Sequence, residues 1–232
     1  MIPDWCEPNY TWSQYVAEWW NTWSSLLYVL AGLHGLRALA SAGQKRYRLR
    51  RIYICLWSLV SVGIGSTLFH STLSRTGQIA DEVSMIICIH AGLLVTARST
   101  RAKILVGSGL TLCIVTYFKS GFYTFTLVIS GTLIYLTARS RTIMRDTTNQ
   151  TARTLCKAGV VCFASGFLFF WLPEHLFCVI SPLPERGALQ RVPLHATWHL
   201  LTAIGAYLWI MASLLHELTP SSRVHPLHPT LV

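Results

Sequence analysis

Long apolar blocks, separated by short polar or basic stretches, make up most of the chain. Apolar runs of about 20 residues match the length an α-helix needs to cross a bilayer, whereas barrel strands would show shorter alternating segments. Seven spans are predicted: Trp20–Ala40, Ile52–His70, Ile79–Ala97, Ile104–Tyr117, Phe122–Ala138, Ala158–Ile180 and Leu194–Leu215. The fourth is short for a span and is joined to the fifth through a tight Lys119-Ser120-Gly121 turn. Trp19, Trp20 and Trp23 form an expected aromatic belt at the membrane surface. The expected fold class is an all-α integral membrane protein. It has an N-terminal segment over 1–19, one seven-helix domain over 20–215 and a tail over 216–232.

Composition narrows this further. Charged residues are 12% of the chain and hydrophobic ones 52%, with a mean hydropathy of +0.45; soluble domains carry about 25% charged residues. No long soluble domain fits between the blocks. Asp4 and Glu7 make the N-terminal segment unlike a cleavable signal, so the first helix is expected to direct insertion. A net charge of +10 would suggest nucleic acid in a soluble protein. Here the cations gather in alternate loops, at Lys45, Arg46, Arg48, Arg50 and Arg51, at Arg98, Arg101 and Lys103, and at Arg139, Arg141, Arg145, Arg153 and Lys157. Topology explains them better, and no nucleic-acid partner is expected. Cytoplasmic loops carry the Lys/Arg excess, which places the N-terminus on the lumenal or extracellular side and the C-terminus in the cytosol.

With that orientation, the ionisable residues inside or beside the spans fall at one face. Glu18 opens the first helix, His70 ends the second, Asp81 begins the third, and His195 and His199 begin the seventh. Such groups are costly at bilayer depth and mark functional sites. His195 and His199 stand four residues apart on one helical face, as metal-binding imidazole pairs do. His70 is a third candidate ligand, and three protein ligands with one open position describe a catalytic zinc. Ser66 lies one turn before His70 and could bind a zinc water or a substrate oxyanion. Asp81 is either the proton carrier or a residue that orients a histidine. Gly63 and Gly65 would let neighbouring helices approach closely.

In the N-terminal stretch, Asp4, Glu7, Asn9 and Glu18 offer the hard oxygens that calcium takes, but spacing alone favours a solvated, helix-capping acidic segment. Asn9-Tyr10-Thr11 is also a glycosylation sequon. Cys6 and Cys178 are the two cysteines placed near the lumenal face, an oxidising compartment, and a disulfide between them is expected.

Three blocks, DWCEPNYTWSQYVAEWWNT, GIGSTLFHSTLSRTGQIADE and LHATWH, resemble in order the signature blocks of the alkaline ceramidases. These are seven-helix zinc amidases of the superfamily that includes the adiponectin receptors. The resemblance covers nearly the whole chain. It implies a zinc site of Ser66, His70, Asp81, His195 and His199, and a structural calcium held by Asp4, Trp5 (through its carbonyl), Glu7, Asn9 and Glu18. It also implies hydrolysis of the membrane lipid ceramide to a sphingoid base and a fatty acid, in the endoplasmic reticulum, Golgi or plasma membrane. The WLPEHLFC segment carries Glu174 where the family tends to have Asp. A zinc-containing receptor and a hydrolase of another lipid are the alternatives; oligomeric state is left open.

Overall fold

The computed structural model describes residues 2–3, 5–41, 49–97, 99–180 and 192–219. Asp4, the loop cations Lys45, Arg46, Arg48 and Arg98, and the tail from 220 onward lie outside the described residues. The described residues are all-helical: α1 (Trp19–Ser41), α2 (Arg50–Thr72), α3 (Arg75–Thr96), α4 (Thr100–Ser120), α5 (Phe122–Asp146), α6 (Gln150–Gly166) and α7 (Leu194–Leu218). α6 continues through a wide π-type turn (Phe167–Trp171), a short α segment (Leu172–Glu174) and a second π-type stretch (His175–Ile180), and is treated below as one helix. Pro173 lies at the start of that short segment. Proline has no N–H to give and crowds the carbonyl four residues back, and a widened turn accommodates both.

Among the described residues, five helices are long and apolar enough to cross a membrane: α2, α3, α4, the α6 run over Gln150–Val179, and α7. The chain is therefore a multi-pass membrane protein. α1 and α5 fall outside that set for visible reasons. α1 carries Asn21, Thr22, Ser24, Ser25, His34 and Arg37, and α5 ends in Arg139, Arg141, Arg145 and Asp146. Much of the polarity in α1 is turned inward, since Asn21, Thr22 and Ser25 are buried.

The helices close into a ring in which α1 packs on α2 and α7, α2 on α3, α3 on α5, α5 on α6 and α6 on α7. α4 lies against α3 and α5 and buries only Tyr117, turning Ile104, Leu105, Leu112 and Phe118 outward. An apolar helix face of this kind suits lipid. Inside the ring, Leu56, Leu59, Ile210 and Ala212 anchor one apolar cluster, and Phe69, Ile86, Trp171 and Trp198 anchor another.

Two glycines set the spacing of α2. A Cβ at Gly63 would stand 2.8 Å from Val29 N and 3.0 Å from Ser25 O, on α1. At Gly65 it would stand 2.6 Å from Ala80 O and 2.9 Å from Asp81 N, on α3. Neither space holds a methyl group, so α2 touches the backbone of both neighbours just where Ser66 follows. The α2–α3 turn then reverses the chain tightly. Leu73 takes a left-handed conformation with its N–H donating to Phe69 O (2.7 Å), and Ser74 Oγ caps α3 by accepting from Gly77 N (3.1 Å).

At the opposite end of the ring, arginines cap helix C-termini, where carbonyls lack intrahelical donors. Arg51 Nη1 donates to Ala97 O (2.9 Å), Arg139 Nη2 to Thr96 O (3.1 Å) and Arg153 Nη2 to Thr147 O (2.9 Å). Cations that charge patterning assigns to topology alone thus also close the ends of α3 and α5.

Candidate metal centre

Four chain segments deliver the site to one end of the ring. The stretch before α1 is tied to the end of α2 by Ala17 N donating to Ser71 O and Glu18 N to His70 O, each 3.0 Å. His70 closes α2, Asp81 lies in the second turn of α3, and His195 and His199 open α7. The imidazoles of His70, His195 and His199 are buried, with ring centroids 4.6 to 5.1 Å apart. One ring nitrogen from each falls within 4.8 Å of the others. This buried group could hold a metal ion.

The second nitrogen of each ring is already engaged. His70 Nδ1 donates to Glu18 Oε2 (2.5 Å), His195 Nδ1 to Glu174 Oε2 (3.0 Å) and His199 Nδ1 to Ser24 Oγ (2.9 Å). Placing hydrogen on Nδ1 leaves Nε2 as the lone-pair donor in all three, and carboxylate or hydroxyl partners of this kind orient metal-binding histidines. His70 Nε2 is buried without a hydrogen-bond partner among the described residues. An orphaned buried nitrogen is costly, and three convergent imidazole nitrogens suit zinc.

Ser66 and Asp81 line the same narrow cavity as His195 and His199. Ser66 Oγ accepts from Ser25 Oγ (2.9 Å), which leaves its own hydrogen to give to Asp81, the carboxylate it interacts with. Asp81 Oδ1 is buried and unpartnered among the described residues. All five residues singled out by spacing are therefore brought together. Glu174, Ser24 and Tyr28 were not singled out for the site, yet the structure adds them. Tyr28 OH meets Thr202 Oγ1 (2.5 Å), and its ring stands edge-on to His199. Glu174 had a signal in the sequence, an acid inside an apolar run. Ser24 and Tyr28 had none.

The N-terminal oxygens are arranged differently from a simple cluster. Glu7 caps α1 with both carboxylate oxygens, Oε1 accepting from Trp20 N (2.7 Å) and Oε2 from Asn21 N (2.9 Å). Burial pushes its carboxyl up from the ordinary range, against the two N–H groups that pull it down. Glu18 gives Oε2 to His70 and Asn21 Nδ2, while its Oε1 is buried with no hydrogen-bond partner among the described residues. Asn9 is exposed. The Trp5 ring packs on His195 at 4.0 Å. Cys6 and Cys178 are joined in a disulfide, Cα–Cα 5.4 Å, and Cys6 N also donates to Glu174 Oε1 (3.0 Å).

Comparison with known proteins covers almost the whole chain. A family model described as ceramidase matches residues 2–225. Alkaline ceramidase 3 of Mus musculus is 32% identical over 228 residues, 91% of this chain and 82% of that protein. Alkaline ceramidase 1 of Homo sapiens is 26% identical over 87% of this chain and 77% of its own length. Alkaline ceramidase YPC1 of Saccharomyces cerevisiae is 25% identical over 90% and 74%.

Proposed function

This chain belongs to the ceramidase family, and on that premise we propose that it hydrolyses the amide of ceramide to a sphingoid base and a fatty acid, with zinc at His70, His195 and His199. The observation that carries the reading is the buried imidazole triad, two of whose rings share a cavity with Asp81, a carboxylate that has one oxygen unpartnered among the described residues. The donor set fits zinc. When bound, that ion supplies Lewis acidity toward the amide carbonyl and lowers the pKa of a water.

The chain's own residues do the rest. Glu18, Glu174 and Ser24 hold the three rings so that Nε2 points inward. Asp81 Oδ1 accepts a proton from the attacking water and returns it to the leaving nitrogen, so that the amide C–N bond breaks to an amine and a carboxylic acid. Ser66 holds the Asp81 carboxylate in place and supplies a hydroxyl for the substrate oxyanion. Apolar side chains that include Trp171 and Trp198 line the rest of the cavity.

A structural calcium at Asp4, Trp5, Glu7, Asn9 and Glu18 is part of the same proposal. The unpartnered buried Glu18 Oε1 supports it, and calcium accepts this mixture of carboxylate, amide and backbone oxygens. A calcium-selective chelator is then expected to lower the melting temperature, and an unchanged melt would contradict the ion. The Cys6–Cys178 disulfide supports a lumenal or extracellular N-terminal segment over 1–19, and with it we propose a cytosolic tail over 216–232 and residence in the endoplasmic reticulum, Golgi or plasma membrane.

Two variants test the division of labour. His199→Ala is expected to lose bound zinc and activity together. Asp81→Asn is expected to keep zinc and lose about 100- to 10,000-fold in turnover. Full activity in a zinc-free His199→Ala protein, or wild-type turnover in Asp81→Asn, would contradict these roles.

A further inference from the structure

The cavity holds a second carboxylate that the chemistry above does not use. Glu82 follows Asp81 on α3, is 3% exposed, and lines the same cavity as Ser66, Asp81, His195 and His199. Its position is fixed by a chain of hydrogen bonds running inward along one face of α3. Arg75 Nη1 donates to Gln78 Oε1 (2.6 Å), and Gln78 Nε2 donates to Glu82 Oε1 (2.7 Å). The spacing of Gln78 and Glu82, four residues apart, makes that second bond natural on a helix. The other oxygen, Oε2, is buried and has no hydrogen-bond partner among the described residues. The hydroxyl of Tyr117, from α4, lies close enough to interact with this carboxylate, yet it too fails to reach hydrogen-bond geometry with any described residue.

A buried carboxylate oxygen left without a donor is expensive. One held rigidly at the wall of a reaction cavity is therefore a docking point for a donor that arrives with the ligand. We propose that Glu82 Oε2 receives a hydroxyl of the sphingoid moiety of the substrate, and so positions the amide against Asp81. The inference rests on the ceramidase reading. In ceramide the carbon that bears the amide nitrogen stands between one that carries a primary hydroxyl and one that carries a secondary hydroxyl. Asp81 serves that nitrogen, and Glu82 lines the same cavity with an acceptor oxygen left over for a hydroxyl beside it. Glu82 is thus a substrate-binding residue that discriminates N-acyl long-chain amino alcohols from amides lacking the hydroxyl.

Glu82→Gln tests this directly, because glutamine keeps one oxygen to accept from Gln78 and replaces the other by an NH2 group that cannot accept. Wild type and variant, purified and zinc-loaded, are compared on three substrates: a ceramide, a ceramide lacking the primary hydroxyl, and one lacking the secondary hydroxyl. kcat/KM is measured for each, together with the Kd of fluorescent short-chain versions and the zinc content. The expected loss on ceramide is about 10- to 100-fold in both kcat/KM and Kd, as for a hydrogen bond to a charged group. Zinc content stays unchanged, and for one deoxygenated ceramide variant and wild type agree within about threefold, the signature of a coupled pair. An equal loss on all three substrates, or no loss on any, overturns the inference. If wild-type protein releases no sphingoid base from any ceramide, the hydrolase reading fails, and the Kd comparison still decides whether Glu82 holds a hydroxyl.

Discussion

His195 shows how much of the centre depends on a residue that touches no substrate. Its Nδ1 donates to Glu174, whose other oxygen accepts from the backbone N–H of Cys6, so one buried carboxylate orients a proposed metal ligand and fastens the N-terminal segment. Partners of this kind typically contribute 10- to 100-fold in metal affinity. Glu174→Gln keeps an acceptor for one of these bonds and loses the second. It is expected to weaken zinc binding by about 10-fold or more, with partial recovery in Glu174→Asp. Wild-type zinc affinity in the glutamine variant would remove Glu174 from the centre. In the sequence Glu174 stands out as a departure from the aspartate that the resembled family tends to carry. Its partner does not, because nothing in the spacing of residues 174 and 195 says that α6 and α7 meet there.

The helices impose the geometry those residues use. α2 reaches α1 through Gly63 and α3 through Gly65, and these contacts put Ser66 within hydrogen-bonding reach of Ser25 and alongside Asp81. Gly65→Ala would drive a methyl group into Ala80 O. Overpacking of this kind costs about 1–3 kcal/mol, and here the strain falls on the α2–α3 contact that carries both Ser66 and Asp81. A lower melting temperature with a fall in kcat larger than the stability loss explains is expected; an alanine variant with wild-type melting and kcat would show the contact to be slack. Helix existence was legible because apolar runs announce it, and the tight role of Gly63 and Gly65 followed from their type. The widened course of α6 was less legible. Pro173 signals a disturbance, but a kink, a break and a π-type turn all satisfy it, and the choice rests on how Trp171, Glu174 and Cys178 pack.

Seen whole, the ring places its catalytic candidates at one end and its arginine caps at the other. Charge patterning and the placement of His70, Asp81, His195 and His199 point to that polarity, since each falls at a helix end that must lie on the same side. The N-terminal segment was harder to read. Glu7 serves both as the cap of α1 and as a candidate calcium ligand, and residue type alone does not separate those uses. The whole arrangement turns on the proposed zinc ion, held by three buried imidazoles and needed to cleave ceramide. The direct measurement is release of sphingoid base from ceramide by the purified protein in detergent, before and after removal of zinc with a selective chelator and after its return. Release is expected to stop when zinc is stripped and to resume when zinc alone is restored. Release that continues undiminished from fully zinc-free protein would contradict the zinc requirement.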